Sequence, residues 1–224
     1  MKASQPSSSD ARRATAVADM APGAASVTAK STHQRRLMQT RRITCEGYQR
    51  DDGLFEIESV LIDSKPYAVV VGDRERIEAG EPFHQMRLRL LIDTDLNIRG
   101  AAAETLHAPY AGCIDINAAY AGLAGLNLGP GFMKQVRDRF GGKAGCTHLT
   151  ELLGPTVTTA MQTVWHVRDQ LSLPKALRRQ PVEAVNGLPP EVDRCYALRT
   201  DGDAVRKHYP RFHAGSLARS SVDL

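Results

Sequence analysis

Two cysteines, two histidines and one glutamate carry most of the chemistry this sequence could perform. Cys113 follows His107-Ala-Pro-Tyr-Ala-Gly, where a strand-rich region gives way to helical periodicity, and Cys146 follows Gly145 at the start of a later helical segment. A thiol at a helix N-terminus faces the positive end of the macrodipole, which favours the thiolate that attacks electrophiles or binds metals. In Cys146-Thr147-His148-Leu149-Thr150-Glu151 the helical period puts His148 and Glu151 one turn apart on one face. Such a pair has the form of a metal ligand with its partner, or of a base with an orienting carboxylate. His84 opens a hairpin strand whose end can approach both helix starts. Convergence would make Cys113, Cys146, His148 and Glu151 a catalytic set, and His84, Cys113, Cys146 and His148 a metal-ligand set. A plainer reading stands beside this one. Free cysteine is common in protein cores, His148 and Glu151 could be an ordinary surface pair, and the chain has no CxxC or HxxxH spacing.

The elements that must position these residues follow from periodicity. Residues 1–35 are rich in Ala and Ser without an apolar period and are expected to be a disordered basic tail. From Arg41 short runs of β-formers alternate with turns. Thr40 to Tyr48 and Phe55 to Ile62 flank Asp51-Asp52-Gly53, which reads as a hairpin turn rather than a calcium loop. A further strand is expected over Tyr67 to Val71. The clearest hairpin joins His84–Ile92 to Asn97–Leu106, with Met86, Leu88 and Leu90 alternating against Arg87, Arg89 and Leu91. After Pro109 the period becomes helical over Ile114–Leu126, Pro130–Phe140 and Thr147–Gln170, the last expected to break at Gly154-Pro155. The fold class is α+β: an antiparallel sheet followed by three helices packed on one face. The core domain spans residues 36–172. Residues 173–224, punctuated by prolines, form an extended C-terminal arm with one short element near Cys195 to Leu198.

Composition narrows the function classes. The net charge of +4 is concentrated in residues 1–42, which carry eight basic and two acidic side chains, leaving 21 basic against 23 acidic in the rest. The body is therefore nearly neutral and has no basic stripe interleaved with aromatics, so nucleic-acid binding is not expected. No run approaches the roughly 18 apolar residues of a membrane span, and the N-terminus lacks a secretory h-region, so a cytoplasmic location without a membrane partner is expected. Four dispersed cysteines fit reduced thiols. Gly125, Gly129 and Gly131 could cradle an anion ahead of a helix, but a turn is the simpler reading without a following Lys-Ser/Thr. No Gly-x-Ser-x-Gly elbow is present, so a serine hydrolase has no support.

Several stretches resemble a bacterial family known as domain of unknown function 2889. They are Gly129-Pro130-Gly131-Phe132 through Gly145-Cys146-Thr147-His148-Leu149-Thr150-Glu151-Leu152-Leu153-Gly154-Pro155, Arg50 to Leu54, Ala79 to His84, and Ala197-Leu198-Arg199 with Tyr209-Pro210-Arg211. This family resemblance implies no activity. More distantly, the order of hairpin, Cys113, short helices and Cys146 opening a long helix resembles the NifU/IscU-type iron–sulfur scaffold proteins. That likeness implies a scaffold topology with Pro82 where the first scaffold cysteine stands, and a zinc or iron site from His84, Cys113 and Cys146 with His148 or Glu151 nearby. Two functions follow as expectations. One is a metal- or thiolate-dependent enzyme acting on a small organic substrate. The other is a noncatalytic metal-binding scaffold or adaptor that meets a protein partner through the same face.

Overall fold

The computed structural model describes residues 34–172, 188–189 and 191–215. The chain divides into Met1–Leu37 and Met38–Leu224, and every strand and helix described lies in the second unit. The expected tail, apart from residues 34–35, lies outside the described residues, as do 173–187 of the expected arm.

Among the described residues there are six strands: β1 (Thr40–Gln49), β2 (Phe55–Ser64), β3 (Val69–Val71), β4 (Arg74–Ile77), β5 (Pro82–Ile92) and β6 (Ile98–His107). Four of them form an antiparallel sheet in the order β1-β2-β5-β6, while β3 and β4 pair as a small separate hairpin between β2 and β5. The Asp51-Asp52-Gly53 turn joins β1 to β2 as expected, with Gly53 at φ 82 and Arg50 and Leu54 closed by a backbone hydrogen bond of 2.8 Å. At the β5–β6 turn the Asp93 carboxylate accepts from the backbone of Asp95 and Asn97, which holds Leu96 at φ 65.

Period-two alternation decides which face is buried. Phe55, Ile57, Ser59, Leu61 and Asp63 of β2 and Met86, Leu88, Leu90 and Ile92 of β5 point into the core. Against this face packs the long helix α2 (Thr147–Ser172), whose Leu149, Leu152, Leu153, Thr156, Ala160 and Val164 recur at helical spacing and are buried. The shorter α1 (Phe132–Phe140) adds Phe132, Val136 and Phe140 to the same core. The sheet is thus covered on one face, and the architecture is mixed α+β. Gly47 on β1 marks a close approach of the two layers, since a Cβ there would lie 2.0 Å from Thr163 Oγ1 on α2.

Two helical expectations are corrected. The region 114–126 forms 3-10 turns over Ala111–Ile114 and Asn117–Leu123 in place of an α-helix. They bury Tyr120 and Leu123 in the core. The long helix also runs through Pro155. Proline removes one backbone donor, but burial of Leu152, Leu153 and Thr156 around it outweighs that loss, and the Thr156 and Ser59 hydroxyls hydrogen bond at 2.8 Å. Beyond the core, a short α3 (Asp203–His208) gathers Val192, Val205 and Phe212 into a small cluster of its own.

Candidate metal centre

The site grows from the sheet register. Arg41 on β1 pairs with Asp63 on β2, and Asp63 pairs with His84 on β5, so three polar residues stand in one row across adjacent strands. They occupy the core-facing row at the end of the sheet where the first turn of α2 crosses it, and that turn supplies His148 and Glu151.

Asp63 is the centre of the arrangement, with its side chain 1% exposed. Its carboxylate takes a fork of two hydrogen bonds from Arg41, Nε to Oδ1 and one terminal nitrogen to Oδ2, each 2.8 Å long. Oδ2 also lies 3.2 Å from His84 Nδ1 and 3.7 Å from His148 Nε2. The two imidazoles lie against each other, centroids 3.8 Å apart and planes tilted by 34°. Arg41 reaches onward to Glu151 and so ties β1 to α2. On the far side of the His148 ring, Nδ1 is 4.0 Å from Cys146 Sγ.

Charge and burial act against each other here. Burial alone would raise the Asp63 carboxyl, but the Arg41 hydrogen bonds and charge, with smaller contributions from His84 and His148, hold it below the ordinary aspartate value. Burial lowers His84, and the neighbouring His148 adds to the effect, outweighing the pull of Asp63 in the other direction. Burial likewise lowers His148 despite the Asp63 charge. The result is an ionised carboxylate beside two imidazoles biased toward the neutral form, which is the protonation state that metal ligands require.

The three side chains form a candidate site for one ion. Asp63, His84 and His148 each offer a ligand atom, all within 4.8 Å of one another. Two atoms bound at about 2.05 Å to a tetrahedral ion are about 3.4 Å apart, and the 3.2 and 3.7 Å separations bracket that value. Asp63 has acceptor capacity beyond the Arg41 fork, because a carboxylate offers about four lone-pair sites. Both imidazoles keep some exposure, 13% for His84 and 21% for His148.

Of the residues expected from sequence, His84 and His148 come together. Cys146 touches the cluster only through the Nδ1 edge of His148, and Glu151 meets it through Arg41. Cys113 sits in the first 3-10 turn, its carbonyl 3.5 Å from the Thr105 hydroxyl, and belongs to no three-ligand group among the described residues. A four-residue 3-10 turn also lacks the aligned peptide dipoles that an α-helix start would have offered its thiol. Cys113 and Cys146 stand outside the three-residue group, whose carboxylate is Asp63. Asp63 and Arg41 were missed. Their signal was a carboxylate in step with Phe55, Ile57 and Leu61 on a buried row, with an arginine at the paired position of the hairpin.

A family model with the description "Protein of unknown function (DUF2889)" matches residues 39–162, a stretch that holds Arg41, Asp63, His84, Cys146, His148 and Glu151. No curated protein and no solved structure matches the chain.

Proposed function

The chain belongs to the DUF2889 family, whose description assigns no reaction, and from the geometry of its buried cluster we propose that it is a metal-dependent enzyme acting on a small organic substrate. Asp63, His84 and His148 hold the ion. The observation that carries this reading is the convergence of two imidazoles on one buried carboxylate. Two nitrogens and one oxygen suit zinc or ferrous iron better than magnesium or calcium, which prefer all-oxygen shells.

Three protein ligands leave a coordination position open, whereas structural sites are closed by four. That favours catalysis over a noncatalytic scaffold. When bound, such an ion polarises a substrate oxygen or lowers the pKa of a water. The protein's own residues do the rest. Arg41 fixes the plane of the Asp63 carboxylate through its fork. Cys146 lies where it can accept the Nδ1 proton of His148, which leaves Nε2 as the lone-pair donor facing Asp63.

The test is metal content. Protein purified without a metal-chelating tag, then loaded with zinc or ferrous iron and desalted, should retain about one ion per chain by elemental analysis. His84→Ala, His148→Ala and Asp63→Ala should each lose it, while Cys113→Ser and Cys195→Ser should not. Retention by all three ligand variants, or no retention by the wild type, refutes the reading.

One observation supports a second reading. Cys146 Sγ, His148 and Asp63 form a line of 4.0 and 3.7 Å contacts, the order of a thiol nucleophile, its base and an orienting carboxylate. In that case Cys146→Ser would abolish turnover without changing metal content. Iodoacetamide labelling of Cys146 would also slow in His148→Ala.

A further inference from the structure

At the other end of the sheet from His84, the β5–β6 turn, the start of α1 and the middle of α2 surround a cavity of about 600 Å³. Its walls are apolar: Leu96, Leu128, Phe132, Val157, Met161 and Trp165. Three cations stand around it, Lys134 and Arg137 on α1 and Arg194 from the C-terminal segment. Lys134 is paired with Asp138 at 2.7 Å. Arg137 and Arg194 are exposed, and neither guanidinium has a partner among the described residues. The first turn of α1 lines the same wall without a capping side chain.

The cavity is separate from the metal centre. Met161 lies thirteen residues beyond His148 on α2, about 20 Å along the axis at 1.5 Å per residue. Its size falls within the range of small-molecule sites, roughly 300 to 1,000 Å³. Among the described residues, the uncompensated charges at its rim are of one sign. Guanidinium groups recognise carboxylates through paired hydrogen bonds, and a neutral guest would leave both of them idle.

We propose that this cavity binds a small apolar carboxylate, with its hydrocarbon or aryl body against Trp165, Met161 and Phe132 and its carboxylate on Arg137 and Arg194. Trp165 is the single tryptophan of the chain, so its fluorescence reports occupancy directly. The full chain would be titrated with decanoate and with 2-naphthoate below their aggregation concentrations, and with decanol and acetate as controls.

At least one of the two carboxylates should shift Trp165 emission saturably, at least tenfold more tightly than decanol, and acetate should have no effect. Arg137→Gln and Arg194→Gln should each weaken carboxylate binding about tenfold and leave decanol binding unchanged. Both positions are exposed, and unchanged circular dichroism would show that the variants fold. Chelator treatment should not alter carboxylate affinity, since the ligand does not touch the metal centre. The proposal is overturned if neither carboxylate moves the emission, if decanol binds as tightly as decanoate, if the arginine variants bind like wild type, or if chelator abolishes binding.

Discussion

Replacing Arg41 with methionine isolates the electrostatic core of the candidate site. Methionine preserves much of the arginine stem but removes the fork that satisfies Asp63, whose side chain is 1% exposed. Breaking a buried ion pair by deleting one partner costs about 3 to 5 kcal/mol, because the remaining charge is left uncompensated. Arg41 is itself 35% exposed and His84 Nδ1 stays 3.2 Å from the carboxylate, so the lower end, about 3 kcal/mol, is expected. With a urea m-value of about 2 kcal/mol/M, the midpoint should fall by about 1.5 M for chelator-treated protein at pH 7. Glu151→Gln removes only the exposed arm of the same arginine and should cost less than about 1 kcal/mol. The pH dependence has a definite sign. Asp63 is depressed in the folded state, so its contribution is present above its ordinary value of 3.8 and is lost as pH falls through the lower folded value. The gap between wild type and Arg41→Met should therefore narrow below about pH 4. A midpoint shift of under about 0.3 M at pH 7, or equal losses in Arg41→Met and Glu151→Gln, would refute the view that a buried, paired carboxylate anchors the site.

Three further outcomes follow from individual residues. His84 and His148 are both lowered from the ordinary 6.5, so between their folded values and that pH the unfolded chain binds more protons. Metal-free protein should lose stability as pH falls below about 6.5, and His84→Gln or His148→Gln should flatten that slope in urea titrations at stepped pH. Gly47→Ala drives a Cβ into Thr163 and should destabilise by about 1 to 3 kcal/mol, part of which Gly47→Ala/Thr163→Ala should recover in a double-mutant cycle. Pro155→Ala restores a backbone donor inside an intact helix and should raise the thermal midpoint, an effect of about 1 kcal/mol or more after the loss of proline's entropic benefit in the unfolded chain.

What the sequence made legible is the part governed by local rules. Met86, Leu88 and Leu90 alternate with arginines, and that alternation alone places them on the buried face they occupy. The Asp51-Asp52-Gly53 turn carries more information than a hairpin assignment. Counting eleven residues back and eleven forward from Asp52 pairs Arg41 with Asp63, and Asp63 shares the parity of Phe55, Ile57 and Leu61. Half of the site was therefore written in one hairpin. The other half was not, because the pairing of Asp63 with His84 depends on how the β3–β4 excursion between β2 and β5 returns the chain to the sheet, and no local rule sets that register. The cysteines drew attention for a similar reason. Their residue type signals chemistry wherever it stands, whereas an aspartate and an arginine on neighbouring strands signal it only once they are known to be paired. His148 was found because it lies within the same helical turn as Glu151, yet its partner in the structure is the aspartate across the sheet. In this protein the candidate site joins a row across the strands, Arg41, Asp63 and His84, to His148 on the helix that crosses it, so its residues are far apart in sequence and meet only through strand register and helix packing.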